Sequence, residues 1–219
     1  IRKLIKMNRV YHTALAIVPP NSNIDCWSKL QEIRYKLHDK GYYRWPPHIN
    51  LIYPFVDVCD FSSVLPRIAE ELKDFTPFEV NLNEFGTFGG RDKGVCYLSP
   101  EPSDVLVSIH SSIQRALEES SSKKFQPHLT VTHCENGREA TSIASVESET
   151  WQGTSFLVDA VYVLKRDGPD GQYYAVARIP LGGNIVEEET IMFSGMPTEQ
   201  EDWVKDQRKA QGRNRNKNK

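Results

Sequence analysis

Pro47-His48-Ile49-Asn50-Leu51 and Pro127-His128-Leu129-Thr130-Val131 carry one pattern, 80 residues apart: proline, histidine, apolar, small polar, apolar. Side chains at i and i+2 of a strand share a face. On that reading His48 and Asn50 point one way while Ile49 and Leu51 point into a core. His128 and Thr130 do the same in front of Leu129 and Val131. With six histidines in the chain, chance predicts roughly 0.2 matches to this pattern, so two matches with a preceding proline are informative where one would not be.

The elements around the two motifs follow from periodicity. Thr13 to Pro19 reads as a strand stopped by Pro19-Pro20. Asn23 caps a helix with Trp27, Leu30, Ile33 and Leu37 on one face, and Gly41 is its expected stop. His48 to Phe55 reads as one buried strand, and a helix follows near Ser62 to Lys73 with Pro66 expected in its first turn. Strands at Phe78–Phe88 and Val95–Leu98 flank a turn at Gly89-Gly90-Arg91-Asp92. The rhythm then repeats. Ser103 caps a helix carrying Leu106, Ile109, Ile113 and Leu117; a serine-lysine loop covers 120–124; the strand at His128 follows. A helix near Arg138–Val146 and two strands, Phe156–Lys165 and Tyr173–Leu181, close the fold. Strands mixed with helices and a terminal hairpin predict an α+β fold of antiparallel sheet packed by helices. No glycine-rich phosphate loop follows the first strand, against a dinucleotide-binding or P-loop fold.

The net charge of −2 excludes a globally basic nucleic-acid coat, so contact with RNA needs a local patch. Cys26, Cys59, Cys96 and Cys134 show no zinc spacing, and a reduced intracellular chain, cytoplasmic or nuclear, is the simpler reading. No apolar run is long enough to span a bilayer, so no membrane partner is expected. The expected domain is 1–186. Residues 187–219 read as a charged, flexible tail: six acids and no Lys or Arg from Glu187 to Asp202, then seven Lys or Arg and one acid from Lys205 to Lys219. Such a tail is solvated or contacts RNA or a protein partner. A monomer is expected, and the chain, which starts at Ile1, reads as a candidate piece of a longer protein.

The paired motifs fit phosphodiester chemistry. One histidine can take a proton from the nucleophile and the other give one to the leaving oxygen, because imidazole titrates near neutrality. Asn50 and Thr130 can donate to phosphoryl oxygens. No metal or other cofactor is required. Arg44 and Trp45, just before the first motif, and Arg91, in the turn, are candidate substrate contacts. Tyr53 has core-facing parity, so burial is its default; a twist or bulge would bring it to the groove to stack on a base. His12, His38, His110 and His133 are assigned structural or surface roles, His133 because its odd offset from His128 sets it on the opposite strand face.

The segments HINL and HLTV, together with Arg44-Trp45-Pro46-Pro47-His48-Ile49-Asn50-Leu51-Ile52-Tyr53-Pro54-Phe55, resemble the 2H phosphoesterase superfamily, its 2′-5′ RNA ligase-like and cyclic phosphodiesterase branch. The resemblance runs from about Tyr11 to Leu181 and departs at Asn50, where the family motif has Thr or Ser. It implies a bilobal fold of two antiparallel-sheet lobes with helices outside and a pseudo-two-fold axis. It implies His48 and His128 as the acid/base pair, Asn50 and Thr130 on the phosphate, and metal-independent action on 2′-5′ linkages, 2′,3′-cyclic phosphates or RNA ends. An RNA- or nucleotide-binding module of the same fold without turnover is the alternative.

Overall fold

The computed structural model describes residues 8–119, 124–203 and 205. The chain runs β1 (Arg9–Val10), β2 (Thr13–Ile17), α1 (Ile24–Lys36), β3 (Ile49–Ile52), β4 (Phe55–Val56), α2 (Phe61–Leu72), β5 (Phe78–Gly89), β6 (Gly94–Glu101) and α3 (Ser103–Ala116). It continues through β7 (Leu129–Cys134), α4 (Gly137–Ser148), β8 (Ser155–Val158), β9 (Ala160–Arg166) and β10 (Tyr173–Pro180). Eight strands form one antiparallel sheet in the order β10-β9-β2-β3-β7-β6-β5-β8, and β1 pairs β4 apart from it.

That order contains the symmetry. Outward from the centre, β3-β2-β9-β10 on one side answers β7-β6-β5-β8 on the other. In the chain, β2-α1-β3-α2 answers β6-α3-β7-α4. The lobes meet at β3 and β7, whose register pairs Ile49 with Leu129. One residue, Asp159, separates β8 at one edge of the sheet from β9 near the other. A connection that short requires the sheet to curl until its ends approach.

One sheet face supplies the main core. Leu15, Ile17, Ile49, Leu51, Leu129 and Val131 pack there with Ile68 and Leu72 of α2 and Leu106, Ile109 and Ile113 of α3. The other face carries a smaller cluster, in which Ala14, Ala16, Leu164, Tyr173 and Ala175 meet Trp27 and Phe193. The alternation expected of half-buried strands therefore holds at both motifs, with His48, Asn50, His128 and Thr130 away from the main core and only partly covered.

Several expectations change. Helix α1 ends at Lys36, before Gly41. His38 takes the left-handed conformation (φ 52°), its N–H bonding the Tyr35 carbonyl while the Asp39 N–H bonds the Arg34 carbonyl, so a Schellman stop forms without glycine. Pro66 lies in the second turn of α2, held by the apolar face Val64, Leu65, Ile68 and Leu72. The strand expected over His48–Phe55 breaks before Pro54, which has no N–H to donate. Tyr53 then loses its core-facing parity and is 42% exposed. The strand expected over Phe156–Lys165 is two, β8 and β9, in different lobes.

The segment expected as a free tail from Glu187 packs in its first part. Glu187 and Arg178 bridge backbone to backbone, as do Ile191 and Ala175. Phe193 is buried against Trp27, with rings 6.0 Å apart. The sparse apolar residues of this acidic stretch are what dock it. Residues 206–219, and 120–123 of the serine-lysine loop, lie outside the described residues. No helix among the described residues is long and apolar enough to cross a membrane.

Candidate active site

The Ile49–Leu129 register places four side chains in a square. One residue to either side of that pair, an antiparallel ladder sets His48 opposite Thr130 and Asn50 opposite His128. Both imidazoles are pinned alike. His48 Nδ1 lies 2.8 Å from the Pro46 carbonyl oxygen, and His128 Nδ1 lies 2.9 Å from that of Gln126. A carbonyl only accepts, so both rings are the Nδ1–H tautomer and carry their lone pair on Nε2. The proline before each histidine, with its fixed φ, sets the spacing that lets the ring reach back two residues.

The two sides differ at the polar partner. Asn50 Nδ2 lies 2.8 Å from His48 Nε2, which as a lone-pair site must accept. The Asn50 carbonyl oxygen is buried without a hydrogen-bond partner among the described residues. An amide turned by 180° would offer that oxygen to a protonated Nε2, so the orientation of Asn50 is coupled to the charge on His48.

Burial pushes the His48 imidazole down to about 4; the Pro46 carbonyl pulls it up, and the Arg34 charge pushes it further down. His128 is lowered by burial too, against the pull of the Gln126 carbonyl. Both rings are therefore neutral at neutral pH.

A buried ion pair lies behind His48. Arg34 and Asp39, both 2% exposed, join through guanidinium nitrogens 2.9 Å from Asp39 Oδ2. Arg34 also donates to Gln31 Oε1 (2.9 Å) and to the Trp45 carbonyl (3.0 Å), and the Gly41 N–H donates to Asp39 Oδ1 (3.0 Å). Burial alone would raise the Asp39 carboxyl, but Arg34, His133 and the Gly41 N–H bring it down to about 2. The pair thus anchors the backbone one residue before Pro46, whose carbonyl holds His48.

Aromatic rings wall both sides. The Trp45 ring stacks on His48 at 4.6 Å and on Tyr173 at 3.6 Å, and Tyr53 meets it edge-on at 5.2 Å. Around His128, Phe88 stands edge-on at 5.0 Å and Tyr97 at 5.5 Å, and these two stack on each other at 4.3 Å. Gln126 donates to the Tyr97 hydroxyl at 2.8 Å.

Of the residues singled out in the sequence, His48, Asn50, His128, Thr130, Trp45 and Tyr53 come together. The Arg44 carbonyl accepts from the Tyr173 N–H at 2.7 Å, which ties the Trp45 loop to β10. Arg91 is exposed in the β5–β6 turn, three residues past Phe88. No group of three or more His, Cys, Asp or Glu among the described residues could hold a metal ion.

His133 corrects the strand parity. The β6–β7 register shifts by one residue between Cys96–Thr132 and Tyr97–Thr130, so β7 bulges at Val131. The bulge returns His133 to the groove side, while Cys134 turns toward the core. Five residues were missed in the sequence: Arg34, Asp39, Phe88, Tyr97 and Tyr173. Arg34 sits at i+7 from Trp27 on the buried face of α1, a signal that was present; the others depend on tertiary pairing.

A family model described as the 2′-5′ RNA ligase superfamily matches residues 20–170. The chain belongs to that superfamily. This is a superfamily of phosphoesterases, and the matched residues include both motifs, at His48 and at His128. A Geobacillus kaustophilus protein whose name proposes a phosphoesterase is 32% identical over 101 residues, 44% of this chain. A similarly named Geobacillus thermodenitrificans protein is 31% identical over the same length. The chain spans 56% of the length of these curated relatives. Among solved structures, E. coli LigT complexed with 3′-AMP aligns at a TM-score of 0.54 and 17% identity, covering 78% of this chain and 98% of LigT. TT0787 of Thermus thermophilus aligns at 0.52 and 16%, covering 78% and 98%. The superfamily fold is thus the one the resemblance implied.

Proposed function

We propose that this chain is a phosphodiesterase acting on RNA ends or small nucleotides, at a 2′,3′-cyclic phosphate or a 2′-5′ linkage, by two-histidine acid/base catalysis without a metal. The observation that carries this is the square set by the Ile49–Leu129 register, with two Nε2 atoms in one groove and a polar side chain beside each.

The groove chemistry supports the following roles. His48, held neutral most strongly, is the base and takes the proton of the attacking water or hydroxyl on Nε2. His128 takes up a proton when the phosphoryl anion arrives, since a neighbouring negative charge favours imidazolium, and gives it to the leaving oxygen. Thr130 and Asn50 donate to the phosphoryl oxygens, the Asn50 amide turning as His48 becomes charged. Trp45, Tyr53, Phe88 and Tyr97 offer flat faces for an unpaired base. LigT has been solved with 3′-AMP and with phosphate, ligands of the class proposed here.

The test is a panel of a 2′,3′-cyclic-phosphate-ended RNA, a 2′-5′-linked oligoadenylate and a 3′-5′ control, incubated in excess EDTA with product read by mass. Turnover of a panel member by the wild-type chain, lost in the His48→Ala/His128→Ala double variant, is the expected result. Binding of an oligonucleotide with no product would replace this reading with that of a binding module. Turnover that disappears with EDTA and returns with a divalent ion would overturn the metal-free mechanism.

A further inference from the structure

His133 lies on β7 beyond the bulge, on the groove side. Its side chain is 47% exposed, and its Nδ1 is 3.2 Å from Asp39 Oδ1. Asp39 is satisfied without it: one oxygen takes Arg34 and the other the Gly41 N–H. The buried charge is balanced first by Arg34, and the half-exposed imidazole adds to that from the groove side. The bond also holds the ring at a fixed angle. An Asp39 carboxylate only accepts, so Nδ1 donates to it and Nε2 is the free end, on the solvent side of the bond.

We infer that His133, backed by Asp39, is a second phosphoryl-binding subsite, whose Nε2 meets a phosphoryl group adjacent to the one held between His48 and His128. The inference rests on the proposed phosphodiesterase reading and names a substrate feature for it. Across the bulge, β6 advances two residues, Tyr97 to Val95, between the partners of Thr130 and His133, on the order of 7 Å at ~3.3 Å per residue, a spacing that suits a neighbouring phosphoryl group rather than the same one. A neutral ring would turn a lone pair toward that anion, so binding requires the imidazolium. As the imidazolium the ring gives one N–H to Asp39 and the other to the phosphoryl group, a charge-assisted bond at each nitrogen. His128, on the same strand, senses the charge of His133. The favoured substrate therefore carries two phosphoryl groups on one nucleotide or on consecutive ones.

Calorimetric titration of the full chain with 3′-AMP and with adenosine 3′,5′-bisphosphate tests this. The wild type is expected to bind the bisphosphate about tenfold more tightly, the scale of one hydrogen bond to a charged group. His133→Ala is expected to abolish that preference and leave the 3′-AMP affinity unchanged; circular dichroism confirms that the exposed substitution leaves the fold intact. No preference in the wild type, no binding of either nucleotide, or an equal loss for both ligands in His133→Ala would overturn the subsite. The outcome is separable from the panel assay. A His133-dependent preference without turnover would leave the subsite standing and the phosphodiesterase reading fallen, and turnover without the preference would do the reverse.

Discussion

Replacing Asp39 with Asn isolates the contribution of the buried pair behind His48. Asp39→Asn leaves the Arg34 guanidinium, 2% exposed, without its countercharge, and stranding one partner of a buried pair costs about 3–5 kcal/mol. Acid should reveal a smaller part of the same interaction. The Asp39 carboxyl is at about 2 against an ordinary 3.8, which at 1.36 kcal/mol per pKa unit is about 2 kcal/mol of stability. Because the folded value is the lower one, this stability is fully present above pH 4 and is lost as the pH falls toward 2. The acid figure is smaller because a protonated Asp39 keeps two oxygens that can accept, from Arg34 and from the Gly41 N–H, whereas Asn replaces one of them with an NH2 donor. Urea unfolding at pH 7 of the wild type, Asp39→Asn, Arg34→Met and the double variant would measure the coupling. The double variant should cost less than the two single losses added together. A loss below 1 kcal/mol in Asp39→Asn, or strict additivity in the cycle, would refute the idea that the pair anchors the Trp45–His48 segment.

Three further outcomes are expected. His48→Ala and His128→Ala should each lower turnover by about 10²–10⁴-fold with little change in melting temperature, and unchanged turnover in either would remove it from the acid/base pair. Because the His48 base is lowered to about 4, kcat/KM should hold on the acid side until the pH falls through about 4; a limb centred near 6.5 would contradict burial as the controlling factor. Gly86→Ala should destabilise the fold by about 1–3 kcal/mol and weaken turnover, because a Cβ there overlaps the Tyr97 ring that flanks His128, and a neutral result in a thermal melt would show that the ring can yield.

The fold was legible wherever period and punctuation agreed. The alternation of Ile49 and Leu51 with His48 and Asn50 is a local property of strands, and so is that of Leu129 and Val131 with His128 and Thr130. The same period misplaced His133, because the Val131 bulge is a feature of the β6–β7 ladder and leaves no mark in β7 alone. Tyr53 was misplaced for a related reason: Pro54 interrupts a run whose residues otherwise suit a strand. Asp159 sits in an unbroken β-rich stretch, and only the curl of the sheet distinguishes Val158 from Ala160. Arg34 was obscured by its charge; a cation on the buried face of an amphipathic helix implies a buried acid, and Asp39, past the helix stop, answers it.

The passage through Asp159 also governs how the molecule is made. The lobe of β5 to β8 is continuous in the chain, but the other lobe is opened after α2 and completed only by β9 and β10. On the ribosome, Ala16 must wait for Tyr162, its partner on β9, to be synthesised. At ~5–20 residues/s the free edge of β2 stays unpaired for roughly 10 s. The strands that carry the first histidine motif are thus among the first translated and the last completed. A nascent chain stalled before Ala160 would carry a closed second lobe beside a sticky, half-built first one, a natural target for a chaperone.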